Sequence, residues 1–339
     1  MKLSIGIVGL PNVGKSTLFK LITKQEVNIA NYPFATIDPN VGIVSVPDER
    51  LQTLTKLSAS KKTVPAVVEF YDIAGLVKGA SKGEGLGNQF LSHIREVSAV
   101  LQVVRCFKGG DIIHVEGGVD PLRDIEIIKT ELVLRDLESV MKRLPKAEAD
   151  GRSGKKEAQE EISALTLLKE ELERGTFLSS KPELCSRPSV QKAMHDLNLL
   201  TAKPQLFLLN GVSDDVPENL IRVITGEMKA AYLVADLQET ETIPELIQKA
   251  YQTLNLISFF TTGEDETRAW TVSSGAKAPQ AAGVIHTDFE KKFIRAEVIS
   301  YAKLVEAGGW NQAKQRGWMR LEGKEYAVEN GDVMVIRHG

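Results

Sequence analysis

A glycine-rich segment near the amino terminus constrains this chain of 339 residues more than any other feature. Residues 9–16 read GLPNVGKS and fit the pattern G-x-x-x-x-G-K-[ST], in which a loop joins a strand to a helix. Residues 3–8 are apolar and predict a short buried strand, while residues 16–22 predict the first turns of a helix. Such a loop aims backbone N–H groups and the positive end of the helix dipole at one point. The segment therefore predicts a site for the phosphates of a nucleoside triphosphate.

The residue types in this loop have separate expected roles. Gly9 and Gly14 allow the turn and the close approach of phosphate. Lys15 is expected to reach the β- and γ-phosphates and to take part in catalysis, and the Ser16 hydroxyl is expected to ligate Mg²⁺. The nucleotide-binding set in the loop is predicted to comprise Asn12, Val13, Gly14, Lys15, Ser16 and Thr17.

Composition narrows the class of protein. A hydrophobic content of 42% and a charged content of 26% are ordinary for a globular protein, and a net charge of −3 argues against a uniformly basic nucleic-acid binder. The two cysteines, Cys106 and Cys185, lie far apart and indicate a reducing compartment without a disulfide framework. The phosphate-loop strand begins directly after residue 2, and no apolar run is long enough for a membrane span, so we expect a cytoplasmic protein.

Short apolar runs alternate with helical segments and predict an α/β fold with a doubly wound, mostly parallel sheet. The expected strands are residues 3–8, 41–46, 67–71, 99–105, 205–210 and 231–235. Nucleotide would bind at the carboxyl ends of these strands.

A different pattern interrupts the sheet. Apolar residues recur at helical spacing over 124–144 and again over 162–172, with a polar, glycine-bearing segment at 145–156, which predicts an antiparallel helical hairpin of coiled-coil type. The expected tip is rich in basic residues, namely Lys142, Arg143, Lys146, Arg152, Lys155 and Lys156. A run of basic residues is in general a solvated surface. Its position at the tip of a helical hairpin favours the alternative that it binds a partner.

The C-terminal part predicts a small α+β module, with short strands at 270–272, 325–328 and 332–336 and a mixed segment at 289–302. The expected domain division has a first part of the nucleotide-binding domain, the helical hairpin, a second part of that domain and the C-terminal module. Their ranges are 1–122, 123–201, 202–253 and 254–339.

A second motif separates the G-protein class from other phosphate-loop proteins. Residues 67–75 form an apolar strand that ends in D-x-x-G, where Asp72 would order Mg²⁺ and Gly75 would sense the γ-phosphate. Thr36, in the loop before the second strand, is the expected threonine of the Mg²⁺ shell. Leu76 occupies the position where many GTPases carry a glutamine that orients water, so hydrolysis is slow or another group positions the water.

The expected base-recognition residues are Asn210 and Gly211, at the end of a later strand. Guanine-specific proteins use N-K-x-D there, but this chain has Ser213 at the carboxylate position. The loss of charge-assisted bonds disfavours guanine, and Asn210 can still pair with an adenine edge. Asp214 or Asp215 would restore a carboxylate only if the loop bulges.

Taken together, these segments resemble the Obg-like ATPases of the YchF family over essentially the whole chain. The resemblance is carried by residues 9–17, 31–36, 72–88, 268–271 and 278–290. It implies a G domain with an inserted helical hairpin and a C-terminal, ubiquitin-like TGS domain. In one place the chain departs from the family pattern, because Ser213 replaces the glutamate of the usual N-x-x-E motif.

The resemblance also implies a function. It implies a Mg²⁺-dependent ATPase in which Leu76 replaces the catalytic glutamine and His114 orients or deprotonates water. Asn12 resembles an asparagine that supports K⁺ binding in related GTPases. The C-terminal module and the basic tip imply a ribosome or RNA partner, and the expected oligomeric state is a monomer.

Two alternatives remain open from the sequence. The chain is a GTP-specific GTPase if Asp214 or Asp215 reaches the base. It is an RNA or stress adaptor with incidental hydrolysis if nucleotide serves only as a structural ligand, an interpretation that Leu76 favours.

Overall fold

The structure is a computed structural model that describes residues 4–24, 40–73, 86–107, 118–152, 155–238 and 241–339, with the side chains of 86–89 left aside. The predicted site residues Thr36, Gly75, Leu76 and His114 lie outside this part of the chain. In chain order the elements are β1 (Ser4–Val8), α1 (Lys15–Thr23), β2 (Val41–Ser45), α2 (Glu49–Leu57), β3 (Lys62–Val64), β4 (Val67–Asp72), α3 (Leu86–Glu96), β5 (Ala99–Arg105), α4 (Pro121–Gly151), α5 (Lys156–Glu173), α6 (Pro182–Cys185), α7 (Pro188–Asp196), β6 (Gln205–Asn210), α8 (Glu218–Arg222), β7 (Ala231–Ala235), α9 (Ile243–Thr253), β8 (Leu256–Thr262), β9 (Glu266–Ser273), α10 (Ala278–Ile285), α11 (Thr287–Lys291), β10 (Phe293–Ser300), α12 (Tyr301–Ala307), α13 (Trp310–Gln315), β11 (Arg320–Glu322) and β12 (Asp332–His338).

The chain divides into two compact units. The first unit comprises Met1–Lys24, Asp38–Gly42 and Glu69–Ile243, and the second comprises Gln25–Ile37, Ile43–Val68 and Pro244–Gly339. The chain leaves the first unit within β2 and returns to it within β4.

The sheet of the first unit has the strand order β2-β4-β1-β5-β6-β7. Strand β1 pairs in parallel with both β4 and β5, and the parallel pairing continues from β5 to β6 and from β6 to β7. Every residue of β1, β5 and β6 is buried, as expected for strands covered on both faces. The predicted doubly wound, mostly parallel α/β sheet is therefore confirmed, and the carboxyl ends of β4, β1, β5, β6 and β7 meet along one edge.

Two long helices follow β5 in the first unit. Helix α4 packs against α5 through apolar residues that include Val140, Leu165 and Leu168, and the Arg143 guanidinium binds Glu161 through bonds of 2.7 and 2.9 Å. The polar, glycine-bearing tip expected at 145–156 is shorter than predicted, because α4 continues through Pro145 as far as Gly151. Burial of Ala147 and the Arg143–Glu161 pair hold this last part of the helix, although proline removes one backbone bond. No helix in the described ranges is both long and apolar enough to cross a membrane.

A buried carboxylate fixes α4 to the segment that precedes β6. Asp136 has no exposed surface and accepts hydrogen bonds from the backbone N–H groups of Leu200 (2.9 Å) and Thr201 (2.7 Å). The Thr201 hydroxyl donates a third bond to it at 2.7 Å. Because three donors converge on it, Asp136 joins the first helix of the hairpin to the segment that leads into β6.

The second unit is built on a sheet with the order β11-β10-β12-β8-β9-β3. Its inner face packs against α10, whose small residues Ala278, Ala281 and Ala282 are fully buried. Strand β3 pairs in parallel with β9, and the Ser60 hydroxyl donates to the Gly263 carbonyl at 2.6 Å. Residues 43–68, although distant in sequence, are therefore part of the same compact unit as the C-terminal module.

The C-terminal predictions have a mixed outcome. The expected strands at 270–272 and 332–336 are confirmed as parts of β9 and β12, and the mixed segment contains β10. The expected strand at 325–328 is wrong, because its only ladder contact is the bridge from Ala327 to Lys277. On either side of that bridge, the Tyr326 carbonyl accepts from the Ala278 N–H and the Val328 N–H donates to the Ala276 carbonyl. These backbone groups therefore bond to the start of α10 and the turn before it, and not to a neighbouring strand. The four-part domain division remains a prediction.

Removal of the Asp136 carboxylate should destabilise the first unit strongly. We expect Asp136→Ala to lower the free energy of unfolding by about 3 kcal/mol, because three buried donors lose their acceptor. Urea denaturation followed by circular dichroism measures the change. The matched control is Glu138→Ala, an exposed carboxylate on the same helix, which should change the value by less than about 0.5 kcal/mol. Equal effects of the two variants would contradict the anchoring role.

Candidate functional site

The glycine-rich loop follows β1 and requires glycine at both of its predicted positions. Gly9 has a φ of +157°, and a Cβ atom there would lie 2.6 Å from the Val103 carbonyl oxygen. Gly14 precedes α1 with a left-handed φ of +109°, and a Cβ atom would lie 2.6 Å from Nδ2 of Asn210. Since a larger residue would be both strained and obstructed, the loop keeps its backbone open at the start of α1.

Asn210 braces this loop from the end of β6. Its Nδ2 donates to the Val13 carbonyl at 2.9 Å, and its Oδ1 accepts from the Leu237 N–H at 3.3 Å. The side chain is buried, so both bonds are shielded from water. The sequence predicts Asn210 as a base-recognition residue, and the structure shows that both ends of its amide are bonded to the protein backbone.

Lys15 is held inside the loop. Its Nζ donates to the carbonyl oxygens of Gly9 (3.0 Å) and Leu10 (2.8 Å), and only 8% of the residue is exposed. Burial lowers the pKa of Lys15 from 10.5 to about 8, while the charge of Asp72 acts in the opposite direction. Burial likewise raises the pKa of Asp72, and the Lys15 charge partly offsets this. The loop therefore contains a desolvated cation, which an incoming polyanion would stabilise.

A cleft of about 410 Å³ opens beside the loop. It is lined by Asn12, Gly14, Lys15, Ser16, Thr17, Phe107, Asn210, Asp236, Leu237 and Gln238. The predicted residues Val13 and Gly211 are not among the residues that line the cleft. Their backbone groups support its walls, because the Val13 carbonyl accepts a hydrogen bond from the Asn210 amide and the Gly211 N–H donates to the Ala235 carbonyl. A volume of this size suits a small-molecule ligand, and the cleft lies at the carboxyl ends of the parallel strands, as predicted.

Sequence reasoning missed one side of the cleft. Phe107 follows β5, and residues 236–238 follow β7. These positions belong to no sequence motif. They could have been predicted as cleft residues only because they directly follow the carboxyl ends of predicted strands. In contrast, Ser213, Asp214 and Asp215 form a short 3₁₀ turn and do not line the cleft in the described part of the chain.

Two of the predicted metal ligands, Ser16 and Asp72, are compatible with Mg²⁺. Ser16 lines the cleft with an exposed side chain, and Asp72 ends β4, the strand beside β1, close enough to Lys15 to alter its pKa. A hydroxyl and a carboxylate are the hard oxygen donors that Mg²⁺ prefers, usually together with waters and substrate phosphates. Within the described residues no cluster of three or more His, Cys, Asp or Glu side chains forms a separate metal site.

The cysteines are not candidates for chemistry at this site. Both are free thiols, Cys106 buried and Cys185 half-buried. Burial, together with the charges of Asp215 and Asp124, raises the pKa of Cys106 to about 12, and burial also raises the pKa of Cys185. Because the thiolate is the reactive form, both groups are poor nucleophiles in this fold.

The glycine-rich loop, the buried Lys15 within it and the mostly parallel sheet define a phosphate-loop nucleotide-binding domain of the G-protein type. A family model described as a 50S ribosome-binding GTPase matches residues 4–142, and the YchF-GTPase C-terminal model, described as a protein of unknown function, matches residues 256–339. The chain is 47% identical to the ribosome-binding ATPase YchF of Bacillus subtilis over 99% of each chain. It is 43% identical to the protein of the same name from Escherichia coli O157:H7 over 98% of each chain.

A solved structure agrees with the sequence matches. The structure of the Schizosaccharomyces pombe YchF GTPase is similar to this chain with a TM-score of 0.84 and 38% sequence identity, covering 99% of this chain and 98% of that one. The chain belongs to the YchF family.

The brace from Asn210 should contribute measurably to stability. We expect Asn210→Ala to lower the free energy of unfolding by about 2 kcal/mol, because the buried Val13 carbonyl and Leu237 N–H both lose a partner. Chemical denaturation measures the loss. Asn219→Ala, which removes an exposed asparagine in the same unit, is the control and should be nearly neutral. A neutral Asn210→Ala variant would show that the loop does not depend on the brace.

The buried Lys15 should make stability depend on pH. Between about pH 8 and pH 10.5 the unfolded chain binds a proton that folded Lys15 lacks, so the free energy of unfolding should rise with pH across this window. Lys15→Met should remove a rise of about 3 kcal/mol, whereas Lys20→Met, on the exposed side of α1, should retain it. Denaturation curves recorded across the window measure both slopes. Identical slopes in wild type and Lys15→Met would contradict the burial of a titrating ammonium.

Proposed function

We propose that this protein is a Mg²⁺-dependent ATPase that acts in the cytoplasm as a monomeric, nucleotide-controlled switch on the ribosome. The observation that carries the proposal is the buried Lys15 ammonium, bonded to two carbonyls of a loop whose neighbouring backbone opens into the cleft. A triphosphate offers that cation better acceptors than the two carbonyls, because phosphate oxygens are charged. The names of the relatives, ribosome-binding ATPases, support the same function.

Each part of the loop has a role in binding phosphate. The N–H groups at the start of α1 would donate to phosphate oxygens, and Lys15 would neutralise charge on the β- and γ-phosphates. Ser16 and Asp72, together with Thr36, would hold Mg²⁺, which supplies further charge neutralisation on the phosphates when bound. Asn12, which lines the cleft with a φ of +63°, is the proposed contact for K⁺.

Hydrolysis would be slow without a partner. Leu76 has no group that can orient water, and His114 is the residue we assign to that task, with Gly75 sensing the γ-phosphate. A neutral imidazole can accept a proton from water near pH 7, which a leucine side chain cannot. A partner that places the His114 imidazole beside the attacking water would therefore accelerate the reaction.

The base would lie between Phe107 and the segment after β7. The Asn210 amide is engaged with the loop, so base contacts would come chiefly from residues 236–238 and from the aromatic ring. A stacked ring and backbone groups do not by themselves demand guanine, which is consistent with ATP as the substrate.

The proposed contact with the ribosome combines the C-terminal module with the hairpin tip. Arg143 is paired with Glu161, so the basic residues that stay exposed at the tip are Lys142, Lys146, Arg152, Lys155 and Lys156. The Nζ atom of Lys156 also lies 3.8 Å from Oε1 of Glu160, which partly neutralises the charge of this lysine. Contacts of such residues with RNA phosphates would make ribosome binding fall steeply with salt.

A GTPase is the second candidate. Asp236 places a carboxylate at the cleft, although its Oδ1 already accepts from the Gln238 N–H at 2.9 Å, and the related S. pombe structure carries the name GTPase. If the Asp236 carboxylate turned toward a guanine edge, it would accept hydrogen bonds from the two N–H groups of guanine. Ser213, which has no carboxylate, cannot replace it in this role.

Calorimetric titration with ATP and GTP tests the site and the choice of base together. We expect wild type to bind ATP more tightly than GTP, and Lys15→Ala to lose at least about a hundredfold in affinity while it remains folded, because charge-assisted phosphate bonds are lost. Lys20→Ala, which removes an exposed lysine of the same helix, is the control. Unchanged affinity in a folded Lys15→Ala variant would refute the site, and tighter binding of GTP would favour the second candidate.

The role of Ser16 can be separated from that of Lys15 by removing the metal. Ser16→Ala should weaken ATP binding by about tenfold in the presence of Mg²⁺ and should have little effect in excess EDTA, because only the metal-bound complex uses the hydroxyl. Thr23→Ala, which removes an exposed hydroxyl at the other end of α1, should leave both affinities unchanged. A loss of equal size with and without Mg²⁺ would show that Ser16 does not act through the metal.

A further inference from the structure

Phe107, the aromatic residue that lines the cleft, is bonded through its backbone to the last residue of β6. The N–H groups of Cys106 (2.9 Å) and Phe107 (3.2 Å) both donate to the carbonyl oxygen of Asn210. The same residue, through its side chain, is bonded to the Leu237 N–H at 3.3 Å. Phe107 is therefore joined to the segment after β7 through a single residue, and both line the cleft.

Arg105 is the residue that contacts the ring of Phe107. It ends β5, directly opposite Asn210 in the parallel register, and only 2% of it is exposed. Its Cζ atom lies over the Phe107 ring, 4.3 Å from the centroid. At this distance a guanidinium is attracted to the electron-rich face of the ring, and the attraction is strongest when water is excluded.

We propose that Arg105 is a positioning residue for the nucleotide base, which it serves by fixing the Phe107 ring against one wall of the cleft. The proposal rests on the proposed function, since it assigns the base to this end of the cleft. The guanidinium covers one face of the ring, and the half-buried ring lines the cleft, so the base would stack on the face that Arg105 does not cover. A ring that is held in place loses little rotational freedom when a base stacks on it, so preorganisation adds to affinity.

The proposal separates the effect on the base from the effect on phosphate. Lys15 and Ser16 belong to the loop, where the phosphates would bind, and neither makes a described bond with Arg105 or Phe107. Loss of the stacking arginine should therefore weaken a ligand that has a base and spare a ligand that consists only of phosphates. A merely structural role of Arg105 would weaken both ligands alike.

The test measures binding of ATP and of inorganic tripolyphosphate, each with Mg²⁺, to wild type, Arg105→Met, Phe107→Leu and the double variant. We expect Arg105→Met to weaken ATP about tenfold and to change tripolyphosphate affinity less than about twofold. In the Phe107→Leu background, Arg105→Met should cause no further loss, because the ring through which it acts is gone. Arg268→Met, which removes a comparable stacked pair with Trp270 (4.2 Å) in the second unit, should change neither affinity.

Each outcome has a defined meaning. Unchanged ATP affinity in Arg105→Met, equal losses for the two ligands, or additive losses in the double variant would overturn the proposal. If Arg105→Met fails to fold, Arg105→Lys, which keeps the charge but lacks the planar group, is compared in both backgrounds by the same criteria. Failure of wild type to bind ATP would instead refute the proposed function, so the two failures are distinguishable.

Discussion

The hydrogen bonds of the Asn210 amide are the constraint on which the rest of the site depends. They connect the loop after β1 with the segment after β7, two parts of the chain that are separated by two strands in the sheet. The amide lies so close to Gly14 that no side chain fits there, which explains why the loop needs glycine beyond its left-handed φ. The parallel pairing of β4, β1, β5, β6 and β7 brings these parts together because the carboxyl ends of these five strands meet at one edge.

The desolvated cation inside this frame gives the cleft its chemical character. An ammonium that is largely removed from water is unfavourable, and the carbonyls of Gly9 and Leu10 compensate only in part, as the lowered pKa of Lys15 shows. In the proposed function, a phosphate would replace the carbonyls and recover the free energy of this burial. On this proposal, binding selectivity for polyanions would follow from the fold of the loop and not from a large surface charge.

The sequence predicts the repetitive and motif-bearing parts of this protein well. Strands of the first unit, the hairpin helices and the loop residues follow from hydrophobic period and from a motif with a known geometry. The continuation of α4 through Pro145 depends on contacts with α5, and the pairing of β3 with β9 joins segments about two hundred residues apart. Phe107 and Asp236 belong to no motif, and only their positions just after predicted strands could have indicated them. These features arise from tertiary contacts, which a local pattern does not encode.

A crystal structure with Mg²⁺ and a non-hydrolysable ATP analogue would show whether Lys15 exchanges its carbonyl bonds for bonds to phosphate. We expect Nζ of Lys15 to leave the carbonyls of Gly9 and Leu10 for the β- and γ-phosphate oxygens, while the bond from Asn210 to the Val13 carbonyl is retained. A structure in which the triphosphate binds elsewhere, or in which Lys15 keeps both carbonyl bonds beside a bound analogue, would contradict this expectation.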